Sequence, residues 1–138
     1  MPVTHFPCLL DGDTIEVAFA DPRGGTAVYR LLVDSGFTGQ SSFVLPTRAA
    51  HLAHAQAPAA QTAGALQGVQ TRVVVVCQIA AISFQATVMA ILADTSGLAL
   101  PLGVDGMAGL RFLRQFQRWG AERDESGDWR FFLEVGAP

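Results

Sequence analysis

Leu31-Leu32-Val33-Asp34-Ser35-Gly36-Phe37-Thr38-Gly39, continuing as Gln40-Ser41-Ser42-Phe43-Val44-Leu45-Pro46, is the stretch from which the rest of the chain can be read. An apolar run drives into an aspartate. A hydroxyl residue and two glycines flanking Phe37-Thr38 follow, and a second apolar run ends at proline. The pattern predicts a buried strand that delivers a carboxylate to a tight turn, with another strand leaving it. Glycine at such a turn permits positive φ or close approach of a second backbone. An ionised aspartate at the end of an apolar run costs free energy unless something satisfies or uses it. Asp34 is therefore the first candidate functional residue.

Working outward, Thr14 to Phe19 alternates, with Ile15, Val17 and Phe19 on one side and Thr14, Glu16 and Ala18 on the other, the period of a half-buried strand. Asp21-Pro22-Arg23-Gly24-Gly25 is turn chemistry and Ala27 to Val33 resumes as strand, so a hairpin carries Asp34 at its far end. Val3 to Leu10 is a candidate extra strand. Beyond Pro46, Thr47 is expected to cap a helix through the alanine-rich segment to Ala55. His51 and His54 lie three apart on that helix. With no third ligand nearby they are expected to face solvent and hold no metal.

Gln61 to Gln70, rich in small residues and glycine, is expected to form an exposed hairpin tip. Val73 to Cys77 reads as a fully buried strand, and Ile82 to Ile91 alternates again. Asp94-Thr95-Ser96-Gly97 is expected to be a loop. In the tail, Trp119 to Arg123 and the alternating run from Trp129 to Val135 flank the polar turn Asp124 to Asp128, a hairpin signal.

The Asp34 stretch resembles the Asp-Thr/Ser-Gly active-site loop of aspartic proteases. The likeness is to the single-lobed, retropepsin-like kind (clan AA), bacterial type, with Asp34-Ser35-Gly36 as the matching triplet. A second match strengthens it. Met107-Ala108-Gly109 fits the hydrophobic-hydrophobic-Gly signature that passes beneath the active-site loop in this family, and Leu110 to Phe116 resembles the helix that follows. At helical spacing Gly109, Phe112, Leu113 and Phe116 share one face. Arg111, Arg114, Gln115 and Arg118 share the other, where the arginines are expected to be mainly a solvated face and not a binding patch. The resemblance covers roughly Thr14 to Leu133. It implies a single domain over 1–138 with a mostly β fold, a retropepsin-like closed β-barrel (acid protease fold) with one or two short helices.

The resemblance also implies a function. Asp34 would be catalytic and Ser35, Gly36, Phe37 and Thr38 would complete the active-site loop. Gly64, Ala65, Leu66, Gln67 and Gly68 would form a substrate-covering flap, and Met107, Ala108 and Gly109 the structural loop under the site. Peptide hydrolysis by this class needs two carboxylates, and the chain holds one Asp-Ser-Gly; Asp94-Thr95-Ser96-Gly97 is broken by an insertion. The implied partner is a second copy of the chain in a homodimer, and the implied substrate a peptide or protein. Phe37 departs from the family, which usually has a small residue there. The class alternative is a retropepsin-fold dimerisation or peptide-binding module with weak or no turnover.

Composition narrows the remaining choices. The chain has 138 residues, half of them hydrophobic and 15% charged, which fits one compact domain. A formal charge of −3 offers no basic field for nucleic acid. Apolar runs are too short for stable membrane insertion, the N-terminus lacks the pattern of a signal peptide, and two cysteines are too few for a disulfide framework, so a cytoplasmic location is expected. No cofactor or metal is expected. The closing glycine of a nucleophile elbow is missing after Gly39-Gln40-Ser41-Ser42-Phe43. Nor do strands alternate with the long helices that a phosphate-accepting aspartate would require.

Overall fold

Alternation along the sequence becomes alternation across a sheet in the computed structural model, which describes residues 2–9, 12–62, 66 and 68–136. In β2 (Gly12–Ala20), Ile15, Val17 and Phe19 are buried while Glu16 is exposed. The strand pairs antiparallel with β3 (Thr26–Asp34) from Thr14↔Leu32 to Ala20↔Thr26. Their turn is closed by the Gly24 amide on the Asp21 carbonyl and the Asp21 amide on that of Gly25, each at 2.9 Å. This hairpin carries Asp34 at its end, as the sequence predicts.

The other strands are β1 (Val3–Leu9), β4 (Phe43–Pro46), β5 (Ala55–Thr62), β6 (Gly68–Ile79), β7 (Phe84–Ala93), β8 (Gly106–Gly109), β9 (Arg118–Arg123) and β10 (Trp129–Glu134). They hydrogen-bond in the order β5-β6-β7-β4-β8-β3-β2-β1-β10-β9, with β6 also paired to β2 through Ala18↔Gln78 and Phe19↔Cys77. That extra pairing closes β2, β3, β8, β4, β7 and β6 into a six-stranded barrel. Closure removes the open edges a flat sheet would leave. One end of β2 meets β1 and the other meets β6, so a single long strand joins the barrel to the β1-β10-β9 sheet.

Aromatic rings fill the barrel. Phe43 lies 5.2 Å from Phe19 and 4.7 Å from Phe112 between ring centroids, and Phe116 lies 4.6 Å from Phe84. Phe112 and Leu113 come from the short helix α1 (Leu110–Leu113) and Phe116 from the turn after it. The apolar face predicted for this segment is the buried one. The helix ends sooner than Phe116, its last amide bonds shortening from Leu110 as acceptor to Phe112 and Leu113. Among the described residues no helix is long and apolar enough to cross a membrane.

Three expectations are corrected. The helix from Thr47 to Ala55 is a 3-10 turn over Thr47–Leu52 with no side-chain cap, and Ala55 opens β5. Pairing with β6 overrides the helical preference of alanine there. Val73 to Cys77 is buried on one face only, with Val73, Val75 and Cys77 inside and Val74 and Val76 partly exposed. In the tail Trp129 is 54% exposed, whereas Phe132, on the opposite side of the strand, is buried beneath the Arg118 guanidinium 5.0 Å above its ring.

Candidate active site

Asp34 is the last residue of β3, and its position is fixed by the strand that runs beside it. β8 lies between β3 and β4, the two strands that flank the Asp34 loop. It pairs parallel with β3, Leu31↔Gly106 through Asp34↔Gly109, and antiparallel with β4, Phe43↔Ala108 and Val44↔Met107. Gly109 donates its amide to Ser42 O and Leu110 donates to Phe37 O, each at 2.9 Å. Met107-Ala108-Gly109 therefore runs residue against residue beside Leu32-Val33-Asp34, and the two segments singled out in the sequence meet at Asp34↔Gly109.

Glycine makes that insertion feasible. A Cβ on Gly106 would run into the Val44 carbonyl oxygen. One on Gly109 would strike the Phe37 ring and lie 2.7 Å from the Phe37 carbonyl oxygen. Asp105, just before β8, anchors its entry: its carboxylate accepts from the Arg30 amide at 2.9 Å and from Arg48 at 2.6 Å. The sequence reading gave Asp105 no role, although an acid directly before a tightly packed glycine strand was the available signal.

Within the loop the Gly36 amide donates to Asp34 Oδ1 at 2.9 Å and the Phe37 amide to Asp34 O at 3.1 Å. The carboxylate is half-buried at the barrel rim and, among the described residues, has no cationic partner. Ser35 and Thr38 are exposed. The Phe37 ring turns against Gly109 and joins an apolar cluster of Val44, Ile91 and Ala93 with Leu66 and Met107. Phe37, Leu66 and Met107 come from three separately predicted segments, and the structure brings them together. Gly68 opens β6, so the predicted hairpin is present as β5 and β6. Gly64, Ala65 and Gln67 of the candidate flap lie outside the described residues.

Asp94 is occupied elsewhere. Its Oδ1 accepts from the Ser96 amide at 3.0 Å and from the Ser96 hydroxyl at 2.6 Å, bonds that lower its pKa and make it the cap of a 3-10 turn. His51 bonds the Arg48 carbonyl and His54 that of Ala20. No group of three or more potential metal ligands occurs among the described residues.

A cavity of about 900 Å³ opens beside the loop. Thr38, Gly39 and Gln40 form one wall, Thr87 and Met89 of β7 another, and Arg111 and Arg114 a third. Asp34 is not part of its lining, so the cavity flanks the carboxylate and does not contain it. Behind Gln40 sits Arg72, 8% exposed, donating to Pro58 O at 2.6 Å and to Gln40 Oε1 at 3.4 Å. Arg72 was not anticipated, although one cation entering the run Val73 to Val76 was its signal. No family model, curated protein or solved structure matches the chain.

Proposed function

We propose that the protein is an aspartic endopeptidase of the retropepsin-like kind, active as a homodimer in which the Asp34 carboxylates of two copies share one site. The observation that carries this reading is the register Asp34↔Gly109. A carboxylate at the end of a barrel strand is braced from beneath by the second motif of the same resemblance.

The chemistry follows from the count. Two carboxylates a few ångströms apart cannot both ionise cheaply, so a close pair holds one proton between them. The ionised member takes a proton from water as that water attacks the peptide carbonyl. The protonated member donates to the carbonyl oxygen, and the proton then passes to the departing amine as the C–N bond breaks. A two-fold axis places a residue opposite its own copy, which is how one Asp-Ser-Gly per chain supplies two acids. Exposed Ser35 is available to bond across that axis, and with no cation beside Asp34 among the described residues, its charge is left to be met by a partner acid's proton.

Phe37 favours a second reading, a retropepsin-fold dimerisation or peptide-binding module with weak or no turnover, because its ring fills space that a small residue leaves open. Its packing against Gly109 directs that bulk toward the apolar cluster under the loop, so we rank the peptidase first. Cleavage of a peptide library by the wild type and by Asp34→Asn, with and without a statine-type transition-state mimic, tests the choice. The peptidase reading expects cleavage that both the substitution and the mimic abolish. Cleavage indifferent to Asp34 would end it.

A further inference from the structure

Charge on this chain is sorted unevenly around one cavity. Its nine cationic side chains are all arginines, set among twelve acids. Five of them, Arg23, Arg30, Arg48, Arg118 and Arg130, pair with carboxylates. A sixth, Arg123, donates to the Gly127 carbonyl at 2.7 Å and stacks over Trp129. The remaining three, Arg72, Arg111 and Arg114, have no carboxylate partner among the described residues; Arg111 and Arg114 line the cavity beside the Asp34 loop, and Arg72 lies behind its wall, bonded to Gln40.

From this we infer that the cavity receives a carboxylate carried by the bound peptide, so that the enzyme selects substrates with an acidic group near the scissile bond. The inference rests on the peptidase reading for where the peptide lies. A guanidinium stays charged at any ordinary pH, and one buried against neutral acceptors alone lacks the compensation that buried charges usually have. Arg72 is in that position. Arg111 and Arg114, three residues apart across α1 and the turn after it, sit close enough to repel, and an anion between them relieves the repulsion. Guanidinium forks match carboxylates with paired hydrogen bonds. Among the described residues no acid lines the cavity to compete, and Thr38 and Thr87 add hydroxyls.

Chain length sets the position of the selected acid. Thr38 follows Asp34 by four residues and so lies at most about 14 Å from it. Extended peptide advances about 3.3 Å per residue. The favoured carboxylate therefore falls within about four positions of the cleaved bond, and the two-fold dimer repeats the preference on the other side.

Calorimetry with the Asp34→Asn protein tests this without turnover. The probes are capped apolar decapeptides with one glutamate walked along the chain, each matched to a glutamine peptide, plus an acid-free peptide with a free C-terminal carboxylate. We expect glutamate to bind about tenfold tighter than glutamine at one or two positions, the value of a charged hydrogen bond converted to affinity. Arg111→Gln with Arg114→Gln should remove that advantage; both residues are exposed, so the variant should fold normally. An advantage confined to the free terminus also supports the site and assigns the carboxylate to the chain end. Equal glutamate and glutamine affinities, an advantage that survives the double substitution, or no peptide binding at all would overturn it. A wild-type cleavage profile separates the two claims. Asp34-dependent cleavage without acidic selection ends this inference alone, whereas Asp34-independent cleavage ends the peptidase reading and leaves the glutamate comparison standing.

Discussion

Gly109 shows how much a single missing side chain carries. It stands opposite Asp34 in register while the Phe37 ring and carbonyl lie where its Cβ would be. Gly109→Ala should therefore destabilise the fold by about 1–3 kcal/mol, the usual cost of overpacking, read as a lower denaturant midpoint with an unchanged slope. Phe37→Ala removes the ring but not the carbonyl, so combining the two should recover part of the loss, a coupling that a double-mutant cycle measures. Fully additive losses would mean that the ring does not press on Gly109. Asp34 was legible in the sequence because an acid after Leu31-Leu32-Val33 breaks the local pattern. The atoms that require Gly109 belong to Phe37, far away along the chain, and only pairing of β8 with its neighbours reveals them.

Elements were legible where the period was unambiguous. β2 and β3 follow their alternation and the final hairpin forms where its turn predicts, although Phe131, Phe132 and Leu133 are all buried, while the alanine-rich segment became the edge strand β5 because propensity is weak against a waiting partner strand. The β9–β10 turn offers a test at this scale. Asp124 accepts from the side chain of Arg130, and from the amides of Asp128 and Ser126, which holds its carboxyl below the ordinary range. A lowered folded-state pKa contributes stability that is present above the unfolded value, about 3.9, and is lost as pH falls through the folded one. Asp124→Asn should therefore melt at a lower temperature than wild type at neutral pH, with the gap closing as both are taken to pH below the ordinary carboxylate range. A constant gap across that range would contradict the role given to the charge.

For the molecule as a whole, closure of the barrel on its aromatic core dominates. Phe43 is fully buried against Phe19 and Phe112, and Phe43→Ala should cost about 3–5 kcal/mol in chemical denaturation. Burial of Cys77 pushes its thiol up to about 11, so at pH 8 an aromatic disulfide reagent should reach it only as fast as the barrel opens. Labelling as rapid as in denaturant would mean an open structure. The individual strands and hairpins were legible in strand periods and turn chemistry, and a closed barrel was implied by the resemblance; that closure runs through two residue pairs of β2 and β6 was not legible, because pairing between distant strands leaves no local mark. The proposed site is one that a single chain would not complete. The direct measurement is the peptide-cleavage rate of wild-type protein as Asp34→Asn protein is titrated in at fixed total concentration. Shared carboxylates predict a rate that falls as the square of the wild-type fraction, since mixed pairs are inactive. A rate that falls only in proportion to the wild-type fraction would show that each chain carries a whole site and would contradict it.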